Sequence, residues 1–236
     1  MQLTLDAGNS SVKFGLFDNS VLINFGRLNY GDNLEDFLSP NKLSRVKTVI
    51  YSSVVTNPEI KNLPKVNTIK IDHNSKFPFQ NNYKTPSSLG VDRLVACVGA
   101  HKPGQNTLVI DAGSCITFDY VSEEFGYEGG AISPGLKMRF QSMNNFTDQL
   151  PLVSEFENHP KMLGNTTIEC LKSGVVNGIK AEINSFISHF EMKNKNLKVF
   201  LTGGDSSFLC TELKSGIFAD QNLVLKGLIN LIKLNE

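Results

Sequence analysis

Apolar residues along this chain change period in a set order, and the order occurs twice. At the start, LTLDAG, VKFGLFD and VLINFGRL are short runs rich in β-branched and aromatic residues, separated by Gly, Asn, Asp and Ser. That pattern predicts a three-stranded meander. VKTVIYSSVV and NTIKID are apolar enough to predict two buried strands, with Pro58 and Pro64 between them. FPFQNNYKTP reads as an exposed loop, after which Val91, Leu94, Val95 and Val98 fall at i, i+3, i+4 and i+7. They define one face of a helix that ends at Pro103-Gly104.

The second half replays the series, with TLVIDAG, CITFDYV and YEGGAIS as strands and a helix from Leu136 onward. The clearest helix follows: Ile168, Leu171, Val175, Ile179, Ile183, Phe186 and Phe190 are spaced by three or four behind the capping candidates Thr166 and Thr167. KVFLTGG predicts a buried strand running into a Gly-Gly turn, and NLVLKGLINLIKL a terminal amphipathic helix. Pro103, Gly104 and Asn106 interrupt both periods, so the expected domains are 1–104 and 105–236. Two similar α/β units of this kind predict facing halves with a cleft between them, where ligands prefer to bind.

Composition narrows the field. The chain has 236 residues, enough for a substantial core. Lys plus Arg and Asp plus Glu number 23 each, so there is no general attraction for polyanions and nucleic acid is not an expected partner. No basic leader precedes an apolar stretch, and no run approaches the roughly 18 apolar residues of a membrane span, which predicts a soluble cytoplasmic protein without a membrane partner. Cys97, Cys115, Cys170 and Cys210 lie far apart in apolar settings and read as buried free thiols. His73, His101, His159 and His189 share no metal-ligand spacing, and no G-x-S-x-G turn accompanies them. A metallohydrolase or serine hydrolase has little support.

The candidate chemistry lies in the turns. LTLDAGNSSVK at the start returns in shortened form as LVIDAGSCIT, from Asp6 to Asp111 a span the size of a small domain. An Asp at a strand end followed by a small residue and Gly sets a carboxylate beside backbone that a ligand can approach closely. At the first turn Ser10 and Ser11 offer hydroxyls to phosphate, Lys13 offers positive charge, and Asp6 can hold a hydrated magnesium ion. A third turn, Thr202-Gly203-Gly204, leaves room for a flat adenine or ribose. The combination points to ATP. At the start of the Val91 helix, Asp92 lies about 100° and Arg93 about 200° around from the apolar face, so both are expected clear of the core.

In this order the motifs resemble type III pantothenate kinase, of the acetate and sugar kinase, heat-shock chaperone and actin superfamily. The resemblance runs through DAGNSSVK, YKTPSSLGVDR, DAGS, GGAISPGL, GNTTIECLKSG, TGG and NLVLKGL. It implies duplicated actin-like (ribonuclease H-like) domains, each a mixed sheet with helices, and transfer of the γ-phosphate of ATP to the primary hydroxyl of pantothenate, the first step toward coenzyme A. It makes Asp6, Ala7, Gly8, Asn9, Ser10, Ser11, Val12 and Lys13 the phosphate turn, with Asp6 holding Mg2+ directly or through water. Asp111 becomes the ligand of a monovalent cation, K+ or NH4+. Ser114, in the place of a family Thr, joins Gly203 and Gly204 in binding ATP.

The resemblance further implies that Tyr83, Gly90, Val91, Asp92, Arg93 and Thr167 contact pantothenate, with Asp92 as proton acceptor. Arg93 would either clasp the substrate carboxylate or brace its loop. Ser10 also stands where the family has Thr, and Thr166 where it commonly has Asn. A homodimer is implied too, with the helix after Thr167 as an interface element or as ordinary core. The rival readings are a kinase for another small hydroxylated substrate, a nucleotide-dependent switch of the same superfamily, and a regulatory binding protein.

Overall fold

The computed structural model describes residues 1–9, 11–55, 60–157, 159–194, 196–210, 213 and 216–236. In chain order the first half holds β1 (Gln2–Ala7), β2 (Val12–Asp18), β3 (Val21–Leu28), α1 (Pro40–Leu43), β4 (Thr48–Ser53), β5 (Asn67–Ile71) and α2 (Val91–Ala100). There follow β6 (Thr107–Ala112), β7 (Cys115–Ser122), β8 (Gly126–Pro134), α3 (Leu136–Asn145), α4 (Thr167–Lys193), β9 (Lys198–Thr202), α5 (Ser206–Cys210), β10 (Ile217–Ala219) and α6 (Leu223–Asn235).

Contacts group these elements into two compact units, the first comprising Met1–His101, Phe125–Tyr127 and Asn222–Glu236, the second Lys102–Glu124 and Glu128–Gln221. A single cut after residue 104 would leave α6 with the second half, yet α6 packs on α2, β1 and β4 of the first. Two glycines bring the helices together: a Cβ on Gly227 would lie 1.9 Å from the Val95 carbonyl oxygen, and one on Gly99 2.2 Å from that of Leu223. Any side chain there would hold the backbones apart.

Among the described residues the first unit carries a five-stranded sheet in the order β3-β2-β1-β4-β5. β1 and β2 pair antiparallel, as do β2 and β3, while β1/β4 and β4/β5 are parallel. Inner strands are covered on both faces, and β1, β2 and β4 are buried along most of their length, the polar Thr4 and Ser52 included. Leu3, Leu5, Phe14, Leu16, Leu28 and Val49 are buried in the core so formed. The second unit repeats the arrangement with the order β8-β7-β6-β9-β10. Its core joins Ile110, Phe118, Leu136, Phe140, Val176 and Ile183.

Several expectations need correction. β5 is an edge strand with only Ile71 buried, since among the described residues it pairs with β4 alone while β4 pairs on both sides. The α4 stripe buries Leu171, Val175, Ile179 and Ile183 as expected and is widened by Val176 and Ile187, while Ile168, in the helix's first turn, is 48 % exposed. The cysteines are free, but Cys97 alone is buried, and Cys170 is exposed on the first turn of α4. FPFQNNYKTP is surface chain yet tethered, since the Asn82 amide donates to the Tyr127 carbonyl (3.0 Å) and the Tyr127 amide to that of Gln80 (2.8 Å). Gly126, at φ +81°, lets that strand end close on Gln80. Pro58 and Ser10 lie outside the described residues.

Candidate active site

The first acidic turn is the connection between β1 and β2, whose last ladder pair is Ala7 with Val12. Gly8 closes the turn by donating its amide to the Ser11 carbonyl (3.0 Å). Ala7 and Val12 point into the core, so what they offer a ligand is main chain only. Asp6 is half-buried, sits opposite Lys13 on β2 and beside Ser52 on β4, and accepts from the Ser52 hydroxyl at 3.4 Å. Tyr30, beyond the end of β3, donates its hydroxyl to the Gly8 carbonyl. Burial, reinforced by the Asp6 carboxylate, raises its pKa above the ordinary 10.0, which keeps the phenol a donor. No motif marks Tyr30, and sequence reasoning missed it.

The GVDR stretch opens α2. The Arg93 amide donates to Asp92 Oδ1 (3.0 Å) and to the Gly90 carbonyl (3.2 Å), which holds the half-exposed Asp92 carboxylate over the helix start. A Cβ on Gly90 would lie 2.5 Å from that same oxygen, so glycine is what lets the carboxylate fold back. Helix amides favour an anion in this position. Arg93, expected clear of the core, is instead only 7 % exposed. A single apolar face assumes one covered side, but α2 packs against both α6 and β4. Val91 is buried with it, while Tyr83 is half-buried with its ring 6.2 Å from that of Tyr127.

In the second unit the corresponding turn is shorter, Gly113 donating to the Cys115 carbonyl (2.9 Å) between β6 and β7. Asp111 has Thr117 opposite on β7 and Thr202 beside it on β9. The hydroxyls of both threonines are buried without a hydrogen-bond partner among the described residues. Gly203, at φ +95°, presses on this turn: a Cβ there would lie 2.2 Å from the Ala112 carbonyl oxygen and 2.4 Å from Asp111 Oδ1. Gly203 thus packs directly on the acidic turn, and Gly204 is the exposed glycine of the pair. Gly135 presses from the other side, its amide donating to the Ser114 carbonyl (3.1 Å). Thr167 begins α4 and is exposed, behind Thr166, whose hydroxyl accepts the Glu169 amide at 3.2 Å while Glu169 accepts that of Asn165 at 2.9 Å. Thr in the place of the usual Asn therefore still caps the helix.

Residues 2–189 match the family model of type III pantothenate kinase. The chain belongs to that family. Type III pantothenate kinases of Flavobacterium psychrophilum and Phocaeicola vulgatus are 41 % and 42 % identical to it; each match covers 100 % of this chain, with 100 % and 99 % of the relative. A structure from Campylobacter jejuni, described as a Baf family transcriptional activator, superposes with a TM-score of 0.63 at 25 % identity over 98 % of this chain and 97 % of its own. One from Sinorhizobium meliloti, described as a 2-dehydro-3-deoxygalactonokinase, does so at 0.55 and 11 % identity over 99 % and 96 %, a likeness of fold alone. The family's duplicated actin-like domain accounts for the two sheets of the same strand order.

A kinase family implies ATP with a divalent metal. No cluster of three or more His, Cys, Asp or Glu side chains able to hold a metal occurs among the described residues. At Asp111 two buried, unsatisfied hydroxyls flank a carboxylate, an all-oxygen set with the hardness a monovalent cation needs. Among the described residues no helix is long and apolar enough to cross a membrane.

Proposed function

We propose that this chain transfers the γ-phosphate of ATP to the primary hydroxyl of pantothenate, with Mg2+ and a monovalent cation, as the first step of coenzyme A synthesis. The observation that carries the reading is Asp92, a carboxylate held at a helix start by the Arg93 amide, within a family match that takes in residues 2–189. Phosphoryl transfer passes through a loose transition state in which alignment and charge stabilisation do most of the work, so no strong base is required. An ordinary aspartate is already ionised at neutral pH. Asp92 orients the hydroxyl and receives its proton late, as the new P–O bond forms.

The turn amides of the first unit and Ser11 hold phosphate oxygens, and Lys13 offsets their charge. Asp6 would hold the magnesium ion, and Asp111 with Thr117 and Thr202 the monovalent cation. When bound, the two ions supply charge neutralisation along the polyphosphate. Ser114 and Gly204 contact the nucleotide, while Tyr83, Gly90 and Thr167 border pantothenate. The buried position of Arg93 favours bracing the GVDR turn over a mobile clasp.

The working protein is a cytoplasmic homodimer in this reading. Ile132, Phe146, Leu152, Met162 and Leu163, all in the second unit, are large apolar side chains more than half exposed, which suits a covered surface. ADP release measured with ATP and Mg2+, with and without pantothenate and with Na+ replacing K+, tests the function. Release should require pantothenate and K+ or NH4+. ATP hydrolysis indifferent to pantothenate would reject it.

A further inference from the structure

One charged side chain reaches the second acidic turn through a strap of main chain. Arg139, on α3, donates its Nε to the Pro134 carbonyl (2.8 Å) and its Nη2 to the Ser133 hydroxyl (3.2 Å). The same Nη2 pairs with Glu182 on α4, and both side chains are mostly buried, at 22 % and 24 % exposure. A guanidinium is a rigid fork, so three partners fix the position of Ser133 and Pro134 against two helices at once.

The next residue along the strap is Gly135. Its amide bonds the Ser114 carbonyl at 3.1 Å, and a Cβ on it would lie 2.2 Å from the Gly113 carbonyl oxygen and 2.5 Å from that of Ser114. Nothing separates the strap from the turn that bears Asp111 and Ser114. Gly203 supports the same turn from the TGG side. A shift of Pro134 by a fraction of an ångström therefore passes directly into Gly113 and Ser114, because close-packed backbone has no slack to absorb it.

We infer that Arg139 is a positioning residue for the Asp111–Ser114 turn, acting through Ser133, Pro134 and Gly135 to set the geometry in which that turn meets nucleotide and monovalent cation. The inference rests on the pantothenate kinase reading and concerns only the turn's alignment. Arg139 touches neither substrate in this account. Its effect belongs to ATP and the cation and leaves pantothenate alone, a split that loss of fold would not produce.

The test uses the full chain and the variants Arg139→Gln, Arg139→Lys and Glu182→Gln, with KM for ATP, KM for pantothenate, the half-activating K+ concentration and Tm measured for each. R139Q should raise the ATP and K+ values roughly five- to twentyfold, the ratio expected for one or two lost charge-assisted hydrogen bonds, with the pantothenate KM within about twofold of the parent. R139K should share the defect, since an ammonium cannot bond Pro134, Ser133 and Glu182 in a fork, whereas E182Q should stay near the parent. Full rescue by lysine with E182Q impaired would make Arg139 a helix-to-helix ion pair only, and overturn the inference. So would equal changes in both substrates' KM, or a fall in kcat and Tm without any change in KM. A parent protein without pantothenate-dependent ADP release would instead defeat the functional reading. Should R139Q fail to fold, the lysine variant alone decides between the outcomes.

Discussion

Asp6 and Asp111 hold the same register position in their two sheets. Each is the next-to-last residue of its sheet's central strand, each faces an antiparallel neighbour on one side and a parallel neighbour on the other, and each precedes Ala-Gly. The neighbours differ. Asp6 has Lys13 and Ser52, one of them a cation, while Asp111 has Thr117 and Thr202, two hydroxyls. The duplicated frame thus offers a carboxylate twice, beside a cation and a hydroxyl in the first copy and beside two hydroxyls in the second.

Thr202→Val tests that division. Valine keeps the shape and removes a hydroxyl that is fully buried and unsatisfied, which costs the folded chain about 1–3 kcal/mol unless an ion satisfies it. In K+-free buffer the variant should match or exceed the parent's Tm, while its half-activating K+ concentration rises roughly threefold to tenfold, one contact's worth. A raised Tm with K+ dependence unchanged would mean the hydroxyl serves no cation.

Asp92→Asn keeps the helix start and removes the proton acceptor. Turnover should fall by roughly 10²–10⁴-fold with ATP binding nearly intact, as read by steady-state kinetics and nucleotide titration. Parent-like turnover would take Asp92 out of the mechanism.

What the sequence made legible is what is local. Both meanders, both Asp-Ala-Gly turns and the GVDR helix depend on neighbours a few positions away, and strand period and turn residues disclose them. Arg93 is buried where a helical wheel sets it clear of the core, because a wheel shows one covered face and the second cover, α6, arrives from the far end of the chain. The contact of Gly203 with Asp111 was invisible for the same reason, as the two glycine turns read as separate sites when they are one piece of packing. Tyr30 lies outside every motif, and only its hydroxyl's reach back to Gly8 discloses it.

Tyr30→Phe removes that single bond while keeping the ring. The Gly8 carbonyl loses its side-chain donor at the phosphate turn, so ATP KM should rise roughly threefold to tenfold and stability should fall by about 1 kcal/mol. The pantothenate KM should not follow. Equal ATP kinetics in parent and variant would show that the turn holds its shape without the phenol.

His101 sets an acid limit on stability. It caps the C-terminus of α2 with its ring 5.3 Å from that of Phe79, and its Nδ1 is buried without a hydrogen-bond partner among the described residues. Burial lowers its pKa below the ordinary 6.5. The unfolded chain then binds the proton more readily than the folded one, so stability rises with pH through this window. Above the unfolded value both states hold a neutral ring and there is no penalty; as pH falls below about 6.5 the unfolded state gains a proton that the folded state resists. Thermal melts should therefore show Tm decreasing from pH 7.5 toward 5.5, and His101→Gln, which cannot titrate, should flatten that slope. An unchanged slope in the variant would assign the acid sensitivity to other groups and leave the imidazole as packing alone.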